Sequence, residues 1–316
     1  MQTQVNKLDF TGQHIFVGLD IGKKSWKTSI FTQQFEHKTF TQPPKAEVLS
    51  KYLKRNFPGA IYHCVYESGY FGFWIYDELL KHGLNCIVVN PADVPTKHKE
   101  KRRKTNRVDA RKLARNLRSG EVEPLYIPPK IAREDRSLVR SRYYFIKKQT
   151  RCKNQIKALL CFYGISIPEG LGQKHWSKRF INWLSEVQKN LGNGCFSMKA
   201  LLAELVSLRH IIADLNKQIR TLAQEERYRV NVKNLVSIPG ISTISAMIIL
   251  TELITIHRFS TIDDIAGYVG LVPDEDSTGE EKNIIGLTYR CNSFLRHILI
   301  EASWIAVRND PALTMA

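Results

Sequence analysis

Three acidic side chains stand where an apolar run gives out or a basic run begins. Asp20 closes His14-Ile-Phe-Val-Gly-Leu19, Glu67 closes Ile61-Tyr-His-Cys-Val-Tyr66, and Asp109 lies among the lysines and arginines of 97–115. Carboxylates ending neighbouring strands meet at one edge of a sheet, where their hard oxygens suit Mg²⁺ or Mn²⁺. Two such ions about 4 Å apart clamp the attacking and leaving oxygens of a phosphodiester. The plainer alternative is that each acid caps a strand or helix and that Asp109 is a salt-bridge partner. A fourth candidate group is Ser277-Thr278-Gly279, inside the acidic loop 274–282. Read alone it is an ordinary turn, because no G-x-S-x-G elbow surrounds the serine.

The charge of the chain says what those acids face. The net charge is +17, and residues 97–157 hold 21 basic against 6 acidic side chains, while 158–316 are balanced. Packing the excess into one segment suits a polyanion partner better than general solubility does. Lys101, Arg102, Arg103, Lys104, Arg107, Arg111 and Arg115 are the first candidate nucleic-acid contacts, followed by Arg140, Lys147, Lys148 and Arg151. Tyr143 and Tyr144 interrupt the second group and serve either as packing residues or as base-stacking rings. Apolar residues at 43% and charged ones at 24% exclude a disordered chain. The reading also expects no membrane-crossing stretch, no secretory signal and no disulfide frame, which together suggest a protein of the prokaryotic cytosol or nucleoid.

Stepping from residues to elements, 14–19, 26–31, 36–41, 61–66 and 85–90 read as strands. Helices are expected at 46–55 and 71–82, so the order is β-β-β-α-β-α-β, a mixed sheet flanked by helices. Asp109 opens an amphipathic helix with Val108, Leu113, Ala114 and Leu117 toward the core. Its Arg111, Lys112, Arg115 and Arg118 are expected outward. A basic helix is expected at 132–162. Further on, Met198, Leu205, Ile212 and Ile219 repeat at seven, interleaved with Leu201, Leu208, Leu215 and Leu222. That a/d seam suits pairing within the chain or between two chains. Leu235 to Leu250 reads as helix, Pro239-Gly240 turn and second helix, a helix-hairpin-helix arrangement whose turn offers N–H groups to a phosphate. A last helix is expected at 292–308.

G-L-D-I-G-K-K at 18–24, Y-E-S-G-Y at 66–70 and K-T-N-R-V-D-A-R at 104–111 resemble the DEDD transposases of bridge-RNA-guided insertion sequences, a family related to the Piv site-specific invertase. The resemblance implies an α/β RNase H-like (RuvC-like) domain at 1–125. It further implies a helical coiled-coil dimerisation region at 126–230 and a small helical domain with a nucleophilic serine at 231–316. It makes Asp20, Glu67 and Asp109 metal-binding carboxylates. The family pattern K-T-D-x-x-D-A has Asn106 at its first acid here; an amide oxygen still ligates a hard cation but brings no charge. G-L-V-P at 270–273 followed by Ser277-Thr278-Gly279 is similar to the motif whose serine forms a phosphoserine link to DNA. Ser277 is the expected nucleophile, since a primary hydroxyl attacks phosphorus with less crowding, with Thr278 as fallback. The family's basic turn matches here only at Arg290, and the run to Ala316 reads as a helix cut short. Implied partners are donor and target DNA, a structured non-coding guide RNA and a second copy of the chain. The rival readings are a RuvC-like metal-dependent endonuclease and a non-catalytic nucleic-acid-binding protein derived from a transposase.

Overall fold

Apolar residues at every second position of three short runs commit the first third of the chain to a sheet with two differently covered faces. A computed structural model describes residues 9–96, 106–171, 176–275 and 284–314. It divides into two compact units, Met1–Ile127 and Pro128–Ala316.

The first unit contains β1 (His14–Ile21), β2 (Trp26–Phe31), β3 (Glu36–Gln42), α1 (Ala46–Asn56), β4 (Ile61–Glu67), α2 (Trp74–Lys81), β5 (Asn85–Val89) and α3 (Asn106–Ser119). The sheet order is β3-β2-β1-β4-β5. β1, β2 and β3 are antiparallel neighbours, whereas β1–β4 and β4–β5 are parallel. One face buries Ile15, Val17, Leu19, Cys64 and Tyr66 against Leu49 and Leu53 of α1 and Ile75 and Leu79 of α2. The opposite face buries Val65 and Val89 against Leu113 of α3.

Two sequence-based expectations need correction here. The helix expected from Phe71 starts at Trp74, because Gly69 and Gly72 form a turn closed by a 3.0 Å bond from Gly72 N to Gly69 O. Lys112, expected on the outer face of its helix, is buried, at 6% exposed. It lies three residues after Asp109, and residues so spaced share one side of a helix.

The second unit is helical. It comprises α4 (Lys130–Phe162), α5 (Lys178–Lys189), α6 (Gly194–Leu222), α7 (Glu226–Val236), α8 (Thr243–Leu253), α9 (Ile262–Val269), a hairpin of β6 (Pro273–Glu275) and β7 (Ile284–Leu287), α10 (Ser293–Asn309) and α11 (Pro311–Thr314). The heptad seam of α6 packs within the chain. Met198, Leu205 and Leu208 meet Cys152, Ile156 and Leu160 of α4, while Phe180 and Leu184 of α5 join them. Further along, Ile219 and Leu222 share a core with Val139, Val232 and Met247, so helices on both sides of residue 230 are built into one body. Leu201, Ile212 and Leu215 of the same seam are only half-buried.

The Pro-Gly turn falls between α7 and α8, with Gly240 at φ +90°. A Cβ there would overlap the carbonyl of Ala302 in α10, so only glycine lets the two backbones approach this closely. Among the described residues no helix is long and apolar enough to cross a membrane.

Candidate active site

The parallel pairing of β1 with β4 runs to Leu19 opposite Tyr66. Asp20 and Glu67 are the next residue on each strand. Glu67 ends β4, whereas β1 runs one residue past Asp20 to Ile21 along its pairing with β2. The two acids still stand at the same edge, and period two turns them away from the Leu19–Tyr66 face. The face they turn to is the one α3 covers.

What brings Asp109 to this edge is the absence of a side chain. A Cβ on Gly18 would overlap the Ala110 carbonyl and the Ala114 amide, so the backbone of α3 lies directly on β1. Ala110 and Ala114 are themselves fully buried, which permits the approach. Asp109 follows from that crossing: it precedes Ala110 by one residue, and Gly18 precedes Asp20 by two.

Lys112 ties the arrangement together. Its Nζ donates to Glu67 Oε1 at 3.1 Å and lies 3.8 Å from Asp109 Oδ1. One ammonium is thus shared by carboxylates from β4 and α3. The Glu67 and Asp109 side chains remain 29% and 20% exposed, so both are reachable from solvent. Among the described residues, no three Asp, Glu, His or Cys side chains converge closely enough to hold a metal ion as they stand. The donor set is nevertheless right for a hard divalent cation, with carboxylates from two strands and a helix, and a protein cation already bridges two of them. Asp20, Glu67 and Asp109 are the groups of this edge that could hold such an ion.

Asn106 is exposed at the first position of α3, one turn before Asp109. Arg111 points elsewhere, paired to Glu36 Oε1 through Nη2 at 2.7 Å. Arg118 lies over the Phe31 ring at 5.0 Å. Arg107 is exposed, and Arg115 is half-buried on the same helix. Lys101, Arg102, Arg103 and Lys104 lie outside the described residues.

In the second unit the basic residues of α4 have two fates. Arg140 is anchored to the fold while its side chain stays 54% exposed: its Nε and Nη2 each donate at 2.7 Å to the two oxygens of Glu252, which is fully buried. Asn292 Nδ2 also donates to Glu252 Oε2 at 2.7 Å, and Arg136 stands 3.9 Å away. Burial alone pushes the Glu252 carboxyl up. The hydrogen bonds and charge of Arg140, then Asn292 and Arg136, outweigh it and hold the group below the ordinary glutamate value. Glu252 interrupts the apolar run 246–250 and its flank, and its partners are 112 and 40 residues away, beyond any local signal.

Lys147 and Arg151, by contrast, line an open groove with Tyr143, Asn154, Ser293 and His297. Lys147 lies 4.8 Å over Tyr143, which in turn packs on Phe294 at 4.3 Å. Lys148 lies 4.6 Å over the exposed Tyr144. Tyr143 is thus a packing residue on one side. Ser277 and Thr278 fall between β6 and β7, outside the described residues.

Comparison with known proteins gives this geometry a class. Residues 17–165 match a DEDD transposase profile of the IS110 type, and residues 232–315 match the transposase IS116/IS110/IS902 family. The chain belongs to the IS110/IS116 family of transposases. It is 33% identical over 248 residues to the y4qE protein of Sinorhizobium fredii, covering 77% of this chain and 58% of that one. It is 24% identical over 241 residues to the transposase for insertion sequence element IS1111A of Coxiella burnetii, covering 74% and 63%. A third relative, the y4rJ protein of Sinorhizobium fredii, is 25% identical over 331 residues, covering 94% and 81%. The chain thus spans about three fifths of the length of the first two.

Proposed function

We propose that this chain is a DNA transposase whose first unit is an RNase H-like, RuvC-like phosphoryl-transfer domain. Asp20, Glu67 and Asp109 hold Mg²⁺ or Mn²⁺, with Asn106 able to add a neutral oxygen. The observation that carries the reading is the shared edge: Asp20 and Glu67 follow the last β1–β4 pair, and α3 is seated on Gly18 one residue from Asp109. The strand order supports it, since two parallel connections beside an antiparallel meander bring the C-terminal ends of β1 and β4 together. Membership of a DEDD transposase family supports it independently.

Bound there, the metal supplies a Lewis acid for the phosphodiester. The chain's own residues do the rest. Gly18 and the alanines fix the distance between helix and strand, while Lys112 holds two of the carboxylates side by side. The basic residues 101–115 and 147–151 hold the DNA backbone electrostatically. Ser277, with Thr278 as fallback, is the nucleophile that links protein to DNA during joining. A structured guide RNA selects the sites, and two or more copies assemble through the α4–α6 coiled coil, whose half-buried Leu201, Ile212 and Leu215 leave apolar surface for a second chain. The protein works in the prokaryotic cytosol or nucleoid.

Purified chain, Mg²⁺, the DNA flanking its gene and transcripts of that DNA form the test. The expected result is cleavage and joining, with a covalent protein–DNA adduct that Ser277→Ala abolishes. Cleavage that persists in Ser277→Ala without any adduct in the parent would make the protein an endonuclease instead. Strand exchange that survives Asp20→Ala would remove the carboxylate site from the reaction.

A further inference from the structure

The loops that leave the two strand-end carboxylates carry a cation and an aromatic ring at matching offsets. Lys23 follows Asp20 by three residues, and Tyr70 follows Glu67 by three. The two side chains meet across the loops, with the Lys23 ammonium 5.5 Å from the centre of the Tyr70 ring.

The ring is unusual in being both exposed and held. Tyr70 is 76% exposed, so it contributes little to the core. Yet it stacks on Phe71 at 4.2 Å, and Phe71 packs against the buried cluster of the sheet. The loop itself is tied down by Ser68 N to Val89 O at 2.8 Å, Gly72 N to Gly69 O at 3.0 Å and Tyr66 Oη to Gly72 O at 3.1 Å. An aromatic ring offered to solvent on a braced loop has already lost part of the freedom that binding would cost it. Trp74, at the start of α2, adds a second, half-exposed ring to the same segment.

We propose that Tyr70 and Lys23 form a nucleotide-binding site beside the carboxylate edge, a proposal that rests on the reading of that edge as the reaction centre. The Tyr70 ring stacks an unpaired nucleobase, and the Lys23 ammonium takes an adjoining phosphate. Unpaired is the chemical requirement: in a duplex both faces of each base are covered by its neighbours, whereas a single strand offers every face to an aromatic platform. Stacking ignores base identity, so the site sets the position of the strand relative to Asp20 and Glu67 without reading sequence. Single-stranded DNA and single-stranded RNA share this chemistry.

The experiment uses the full chain in chelator, so that nothing is cut. Fluorescence anisotropy measures binding of one 12-nucleotide sequence as single-stranded DNA, as single-stranded RNA and as duplex DNA. The proteins are the parent, Tyr70→Ala, Tyr70→Phe and Lys23→Ala. Tyr70→Ala is expected to weaken single-strand binding about 5- to 100-fold, the range for one lost base–aromatic stack. Tyr70→Phe should bind like the parent, duplex affinity should stay unchanged, and Lys23→Ala should flatten the salt dependence by about one phosphate contact. The arm that weakens, DNA or RNA, identifies the strand.

A direct measurement accompanies it: irradiating the parent with a 5-iodouracil-substituted strand should cross-link the peptide containing Tyr70. Tyr70→Ala binding at parental strength with no cross-link would overturn the proposal. So would an equal loss in Tyr70→Ala and Tyr70→Phe, or an equal loss for duplex. Those failures are separable from failure of the reaction centre. Asp20→Ala should bind single strands normally but not cut, and if it cuts, the reading of the edge fails whatever Tyr70 does.

Discussion

Glu252 and Glu67 are both glutamates contacted by basic side chains, and they sit in opposite circumstances. Glu252 is fully buried and saturated: Arg140 grips both its oxygens, Asn292 adds a third bond, and Arg136 stands nearby. Glu67 is 29% exposed and shares the Lys112 ammonium with Asp109. A carboxylate in the first setting has no capacity left for a ligand and serves to hold α4, α8 and α10 together. Glu67 and Asp109, at an accessible sheet edge, keep oxygens open to solvent. Exposure, more than the presence of an ion pair, separates the two glutamates.

The comparison can be broken at either end. The largest effects should come from Asp20→Ala, Glu67→Ala and Asp109→Ala, each expected to cut DNA cleavage and joining by about 100-fold or more, the scale of several kcal/mol of lost charge stabilisation. The same variants should fold normally by circular dichroism. Glu252→Leu should do the reverse, destabilising the fold by about 1–3 kcal/mol because Asn292 loses a part-buried partner and Arg140 loses both of its bonds. Its urea midpoint measures that loss. An intermediate effect is expected for Lys112→Met, at about 1–3 kcal/mol in chelator, since the two carboxylates then repel with nothing between them. Mn²⁺ should restore more stability to that variant than to the parent, and equal increments would reduce Lys112 to an ordinary ion pair.

The pH dependence separates the two sites further. The folded-state value of Glu252 lies below its unfolded one, so its contribution is present above about pH 4.3 and lost as pH falls through the lower folded value. Glu252→Gln should be less stable at neutral pH and should flatten this acid limb of the stability curve. The smallest effect should be Arg111→Ala, which removes a pair to Glu36 that is over a third exposed on the arginine side and is worth at most about 1 kcal/mol.

Much of the first unit was legible from residue types. The runs 14–19, 26–31 and 61–66 mark strands, and the acids that follow the first and third mark the edge where Asp20 and Glu67 emerge. The heptad seam of α6 was equally plain. What local pattern did not carry was the use made of polar residues by distant partners. Lys112 looks like one more basic residue on a basic helix until α3 is laid on Gly18, which turns it toward Glu67. Nothing near Arg140 in the chain announces its pairing with Glu252, 112 residues away. The Gly69–Gly72 turn delayed the start of α2 and left Phe71 outside the helix, a consequence of glycine spacing that the aromatic periodicity concealed.

The central claim is that Asp20, Glu67 and Asp109 act together on one divalent cation. Calorimetric titration of Mn²⁺ into the full chain tests it without depending on turnover. The account predicts saturable binding in the parent and its loss in each of Asp20→Asn, Glu67→Gln and Asp109→Asn. Parental binding that persists in any one of the three would contradict it.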